Sequence, residues 1–171
     1  KMPHVSQTDY HVVMTPKTLQ HIPVFVRSGS FVPMSPVVQS TETYQDSAVV
    51  IHYYIDAQQG SLSSEFVWFE DDGSTFDAEN KGVSKKLLCK SVKSAALCTL
   101  EFKAEFGAQL PNKFFHFELQ VHTNKAPKSV KVDGKKVKFT FEEKNQVLRI
   151  NHSAHLNIEQ NTSQNNKKWI F

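Results

Sequence analysis

Five acidic side chains crowd one short stretch: Glu70, Asp71, Asp72, Asp77 and Glu79 lie within ten positions of "FVWFEDDGSTFDAENKG", residues 66–82. Carboxylates at this density suit two chemistries. Glycoside hydrolysis needs two carboxyls facing each other across a sugar, roughly 5–9.5 Å apart, one of them with a raised pKa. Asp71 and Asp72 are adjacent, so they point to opposite sides of a strand or splay from a turn. A tip so acidic is also well solvated, which holds carboxyl pKa values low. An EF-hand loop with its glycine at Gly73 places Glu70, Asp72 and Glu79 at ligand positions, but it puts Trp68 where the first oxygen ligand is required. A looser calcium turn built on Asp71, Asp72 and Asp77 stays open, as part of a calcium-stabilised adhesion-type sandwich. The default expectation is an acidic turn that closes a hairpin.

Other reactive residues add less. "NHSAH" sets His152 and His155 three apart with no Cys or acidic third ligand close by, short of a zinc set. Ser28 in "RSGS" lacks the spacing of a nucleophile elbow. "NHS" (151–153) and "NTS" (161–163) are glycosylation sequons, meaningful only in a eukaryotic secreted protein. Tyr53, Tyr54 and Trp68, with Trp169, are candidates for a sugar-stacking platform, weighed against the commoner role of strand aromatics as core. No phosphate loop or dinucleotide fingerprint occurs, so no cofactor is expected, and no metal is assigned.

The elements that must carry these residues read as strands. Phe supplies 13 of the 19 aromatic residues and favours pleated, half-buried surfaces. In "KFFHFELQVHT" (113–123), Phe115, Phe117, Leu119 and Val121 alternate with His116, Glu118, Gln120 and His122, the pattern of a strand with one wet face. Asp133-Gly134 sits between alternating runs and suits a type I′ hairpin, whose two turn positions both need φ > 0. "AVVIHYYID", "QVLRINHS" and "HLNIEQ" are further short strands, and no convincing helix occurs. The fold class expected is all-β, an antiparallel β-sandwich.

Five of the seven prolines (Pro3, Pro16, Pro23, Pro33 and Pro36) lie in the first 36 residues, where short strands such as "DYHVVMTP" are framed by them. With polar "QSTETYQDS" as a linker, the domain boundary falls between residues 45 and 46, so that residues 1–45 are a short piece of a second β-sandwich or are absorbed into the main one. The tail "EQNTSQNNKKWIF" is expected to fray. If "KLLCKSVKSAALCTLEF" turns at Lys93-Ser94, Cys89 and Cys98 fall opposite each other, as a disulfide or, the favoured reading, as two buried thiols.

Net charge is +3, but residues 1–80 hold 3 basic and 10 acidic side chains and residues 81–171 hold 17 and 7. The basic excess is almost all Lys spread along alternating strands, which argues for solvated, edge-protecting lysines and against a nucleic-acid surface. No apolar window of about 18 residues offers a membrane span. The start "KMPHVSQTDY" lacks a signal-peptide stretch and, with Lys before Met, reads as a fragment boundary.

Three segments, "HIPVFVRSGSFVPM", "FVWFEDDGSTFDAENKG" and "HTNKAPKSVKVDGKKVKF", together resemble the C-terminal end of glycoside hydrolase family 31, the family of α-glucosidases and α-xylosidases. Its members carry an iPvFvRaGsiiP segment, then yEDDG followed by an aromatic and an acidic residue, then aPksV with a later vnGk. All three occur in that order across most of residues 20–140. Arg27 and Gly29 match the first motif, and Glu70, Asp71, Asp72 and Gly73 the second; all six are expected to be structural. The resemblance implies a nucleophile and acid/base on a preceding (β/α)8 barrel that this sequence does not contain, so no catalytic residue carries over. It implies that residues 1–45 end a proximal C-terminal β-sandwich and that residues 46–171 form the distal one. The role implied is a non-catalytic module that braces the barrel, with glycan docking or homo-oligomerisation as further roles and a lean towards an exported setting. A stand-alone carbohydrate-binding module is the competing reading.

Overall fold

The computed structural model describes residues 24–40, 49–55, 60–111, 113–150, 154–157 and 166–171. Among these residues there is no helix. In chain order the strands are β1 (Phe31–Met34), β2 (Val49–Tyr54), β3 (Leu62–Asp71), β4 (Ser84–Lys93), β5 (Cys98–Phe106), β6 (Phe114–His122), β7 (Val130–Val132), β8 (Lys135–Val137), β9 (Phe139–Glu142), β10 (Val147–Ile150), β11 (Ala154–Asn157) and β12 (Asn166–Ile170). They form two sheets. The first has the order β1-β2-β6-β10-β9, with β11 pairing the start of β6; the second has the order β3-β4-β5-β12-β7-β8.

The alternation in the sequence sets which face turns inward. On β6, Phe115, Phe117, Leu119 and Val121 are buried, and on β2 so are Val49, Ile51 and Tyr53, which leaves Val50, His52 and Tyr54 on the outer face. The two inner faces meet through rings: Phe102 of β5 lies 5.0 Å from Phe117 of β6, and Trp68 of β3 lies 5.2 Å from Phe115. Full burial of each such side chain contributes about 1.5–3 kcal/mol, so this shared layer makes the chain the expected all-β sandwich.

Among the described residues, every strand pairing is antiparallel except one. β2 runs parallel to β6, with Val49 opposite Phe117 and Tyr54 opposite His122. The chain leaves β2, builds β3–β5 in the other sheet, and returns to β6, and a long crossover of this kind is what a parallel pair requires.

Two sequence expectations change. The tail does not fray in its last residues: β12 lies between β5 and β7, and Trp169, 0% exposed, packs edge-on against Phe102 at 5.0 Å. Polar composition hid this strand, whose two lysines pair with neighbours: Lys168 with Glu101 at 2.7 Å and Lys167 with Asp133 at 2.9 Å. The cysteines are not opposite each other. The β4–β5 turn takes four residues, closed by Ser94 N–H to Leu97 C=O, so Cys98 faces Lys93 and Cys89 faces Phe102. Both thiols are free and buried, and burial pushes each up to about 12, which makes them inert. The turn at Asp133-Gly134 forms as expected, with φ of 48° and 81°.

Phe31 of β1, which lies within residues 1–45, pairs opposite Tyr53 and enters the core. "DYHVVMTP", the linker from residue 41, His152 and both sequons lie outside the described residues, and for His155 only the backbone, in β11, is described.

Candidate functional site

β3 and β4 pair over ten positions, from Leu62 opposite Lys93 to Asp71 opposite Ser84, so the acidic stretch is the top of a hairpin. Each motif residue has a local task. Asp71 Oδ1 accepts from Gly73 N–H at 2.8 Å, and Gly73 takes a φ of 69° that suits glycine. Asp72 Oδ1 accepts from Ser74 N–H at 3.1 Å and Thr75 N–H at 2.8 Å, and its Oδ2 accepts from the Thr75 hydroxyl. These bonds hold the Asp72 carboxyl down at about 2. Asp77 accepts from Asn80 Nδ2 through both oxygens, at 2.9 Å each, and Glu79 pairs with Lys86.

Glu70 points the other way, inward. It pairs at 2.8 Å with Lys85, its cross-strand neighbour, whose side chain is only 8% exposed. The ammonium also donates to Phe114 C=O at 3.3 Å and sits 4.7 Å from the centre of the Phe115 ring. Further down the hairpin Glu65 pairs with Lys90 at 3.0 Å. The acidic first half of the chain and the basic second half therefore meet across β3–β4. Among the described residues no three Asp, Glu, His or Cys side chains converge as a metal set would.

The first motif is also built into the fold. Gly29, at a φ of 83°, donates its N–H to Tyr54 C=O at 2.7 Å and accepts from Ser64 Oγ at 2.5 Å. A Cβ there would come within 2.8 Å of Leu62. Arg27 is exposed beside this turn, and its carbonyl accepts from Ser30 N–H at 3.2 Å.

The four aromatics named for a stacking platform do not share a surface, and Trp169 is in the core. Tyr53 is 0% exposed because alternation on β2 turns it inward, and Trp68 is half-buried against Phe115. Tyr54 alone lies on the outer face, and there it has partners the sequence reading missed. Its ring stacks on His122 at 4.1 Å and 8°, and His122 Nε2 lies 2.8 Å from His52 Nδ1. Burial and the Arg149 guanidinium push His52 below its ordinary value; burial, then His52, then Arg149 do the same for His122. An open cleft of about 540 Å³ adjoins this pair, with Ser28 on one side and Asn124, Asn145 and Gln146 on the other. The parity of β6 marked His122 as outward-facing, but nothing in the sequence joined it to Tyr54, because the parallel pairing does so.

No family model matches the chain. A 1,6-alpha-glucosyltransferase from Sporosarcina globispora is 22% identical over 98 residues, 57% of this chain and 7% of that protein. Among solved structures, a variant of a GH31 dextranase from Flavobacterium johnsoniae, complexed with isomaltotriose, matches with a TM-score of 0.66 at 21% identity, over 86% of this chain and 19% of that one. The alpha-1,4-glucan lyase of Gracilariopsis lemaneiformis matches with a TM-score of 0.59 at 16% identity, over 85% of this chain and 16% of that one. The chain thus spans less than a fifth of the length of each of these proteins. In fold, it is a GH31-like β-sandwich region.

Proposed function

We propose that this chain is a non-catalytic C-terminal module of a family 31-like α-glycosidase, residues 46–171 being the distal sandwich, and that it braces a (β/α)8 barrel carried elsewhere in the same polypeptide. The observation that carries this reading is the proportion of the match: 86% of this chain corresponds to 19% of the dextranase, so most of such an enzyme lies outside these residues. The acidic turn supports it from the other side. Asp71, Asp72 and Asp77 accept bonds from their own turn and Glu70 holds a buried lysine, which leaves these four carboxylates engaged in folding.

The same turn carries Phe76, which is 89% exposed at the end of the hairpin, and Phe69 and Val67 are 43% and 51% exposed on the outer face of β3. Apolar groups so presented are the natural contact for the rest of the polypeptide. The test uses a polypeptide that carries both the barrel and this region. Phe76→Ser is expected to lower the melting temperature of that longer protein and its hydrolysis of an aryl α-glucoside, while leaving the melting of the 171-residue chain unchanged. Unchanged stability and turnover in the longer protein, or turnover by this chain alone, would overturn the reading.

A further inference from the structure

We propose that the cleft beside Tyr54 and His122 binds a neutral oligosaccharide, with the exposed face of Tyr54 as the stacking surface and the amides of Asn124, Asn145 and Gln146 as hydroxyl-reading groups.

The argument begins with what surrounds the Tyr54 ring. His122 covers one face through the parallel β2–β6 pairing. On the other side the chain that runs alongside is residues 28–30: Tyr54 N–H donates to Ser30 C=O at 3.1 Å and Tyr54 C=O accepts from Gly29 N–H. Ser28, Gly29 and Ser30 are small, so the cleft opens beside the ring there, with Val26 and Ile55 as the apolar parts of its wall. The Tyr54–His122 stack is therefore a rigid aromatic ridge with one face supported and the other facing the cleft. The His52–His122 hydrogen bond fixes the ridge from below.

Composition then selects the ligand. In a chain of which 22% is charged, no Asp, Glu, Lys or Arg among the described residues lines this cleft. An anionic ligand would find no cation to pair with, and a cationic one no carboxylate. Amides, hydroxyls and an imidazole remain, groups that both donate and accept, as sugar hydroxyls do. A site of this kind, an aromatic wall with a few placed polar groups in a cleft of several hundred Å³, is a common form of small-ligand pocket. The backbone that carries these residues is fixed by its own bonds. Asn145 Nδ2 donates to Glu142 at 2.5 Å, and Gln146 sits at a φ of 55° with its N–H bonded to Glu143 C=O and its C=O to Thr123 N–H. Both strand-end turns that frame the cleft are thereby set before any ligand arrives.

This site is independent of the bracing role: failure to bind sugar leaves that role intact, and an inactive barrel leaves the site intact. The test titrates the whole 171-residue chain with maltotriose, isomaltotriose and cellotriose and follows backbone and side-chain amide resonances by NMR. Saturable shifts centred on Tyr54, His122, Asn124 and Gln146 with at least one of the three are expected. Tyr54→Ala should weaken binding at least tenfold. Gln146→Gly, which the positive φ favours, should weaken it several-fold with melting unchanged, so a loss there is not a loss of fold. No shift with any of the three sugars, shifts centred elsewhere, or wild-type affinity in both variants would overturn the proposal.

Discussion

The acidic turn and the Tyr54 cleft are opposites. The turn holds the densest charge in the chain, yet its groups bond to one another within a few residues, as in the Asp72 contacts to Ser74 and Thr75. The cleft holds no formal charge among its lining side chains, and its members come from residues as far apart as Ser28 and Gln146. The difference teaches that carboxylate density by itself measures how well a turn closes. A surface able to take a ligand gathers its polar groups from distant strands, where no single turn brings them together.

The largest test of this contrast is Glu70→Ala. If the motif glutamate is structural, its loss leaves the nearly buried Lys85 ammonium without its carboxylate, at a cost of about 2–3 kcal/mol, somewhat below the usual range for a broken buried pair because the contacts to Phe114 C=O and the two rings remain. Urea denaturation measures it, and a cost near zero would remove the structural role assigned to Glu70. Glu70→Gln should cost less, since the amide oxygen still accepts from Lys85.

The cleft side responds to pH. His52 and His122 both have folded values below the ordinary 6.5, so the unfolded chain takes up protons first as acid is added. Their contribution is fully present above pH 6.5 and is lost as pH falls through the depressed folded values, when a second positive ring meets its partner and Arg149. Thermal melting followed from neutral pH downward should show this decline, and a His52→Asn, His122→Asn double variant should flatten it. A wild-type profile that is already flat over this window would contradict the neutral pairing.

The smallest effect belongs to Asp72. Its carboxyl, ordinarily near 3.8, is held at about 2, so its stabilising bonds are complete above 3.8 and vanish as pH falls towards 2. Asp72→Asn keeps an acceptor oxygen and should change melting little at neutral pH while removing part of the acid sensitivity within that window. Equal acid sensitivity in both proteins would assign the low value to something other than these bonds.

The legible parts of the molecule are those whose physics is local. Phe115 to Val121 alternate because the pleat alternates, and Asp133-Gly134 turns because those residues tolerate positive φ. The acidic turn closes through contacts two or three residues long, which the sequence contains in full. The cysteine register was out of reach because the length of the 94–97 turn, not the spacing of the cysteines, decides which residues face each other. The place of β12 was out of reach for a similar reason. "NKKWI" has little apolar weight of its own, and its burial depends on a gap between β5 and β7 that exists only once both are folded.

What the amino-acid sequence determined by itself is therefore the β class, the wet and dry faces of the strongest strands, the Asp133-Gly134 turn, the acidic turn and the motif resemblance. These rest on backbone geometry and short-range hydrogen bonding. What only the tertiary structure decided is which outer-face residues meet. The parallel pairing of β2 with β6 set Tyr54 against His122, and the turn before β10 brought Asn145 and Gln146 beside them, because contacts between residues some 70 to 90 positions apart are fixed by packing and not by neighbours in the chain.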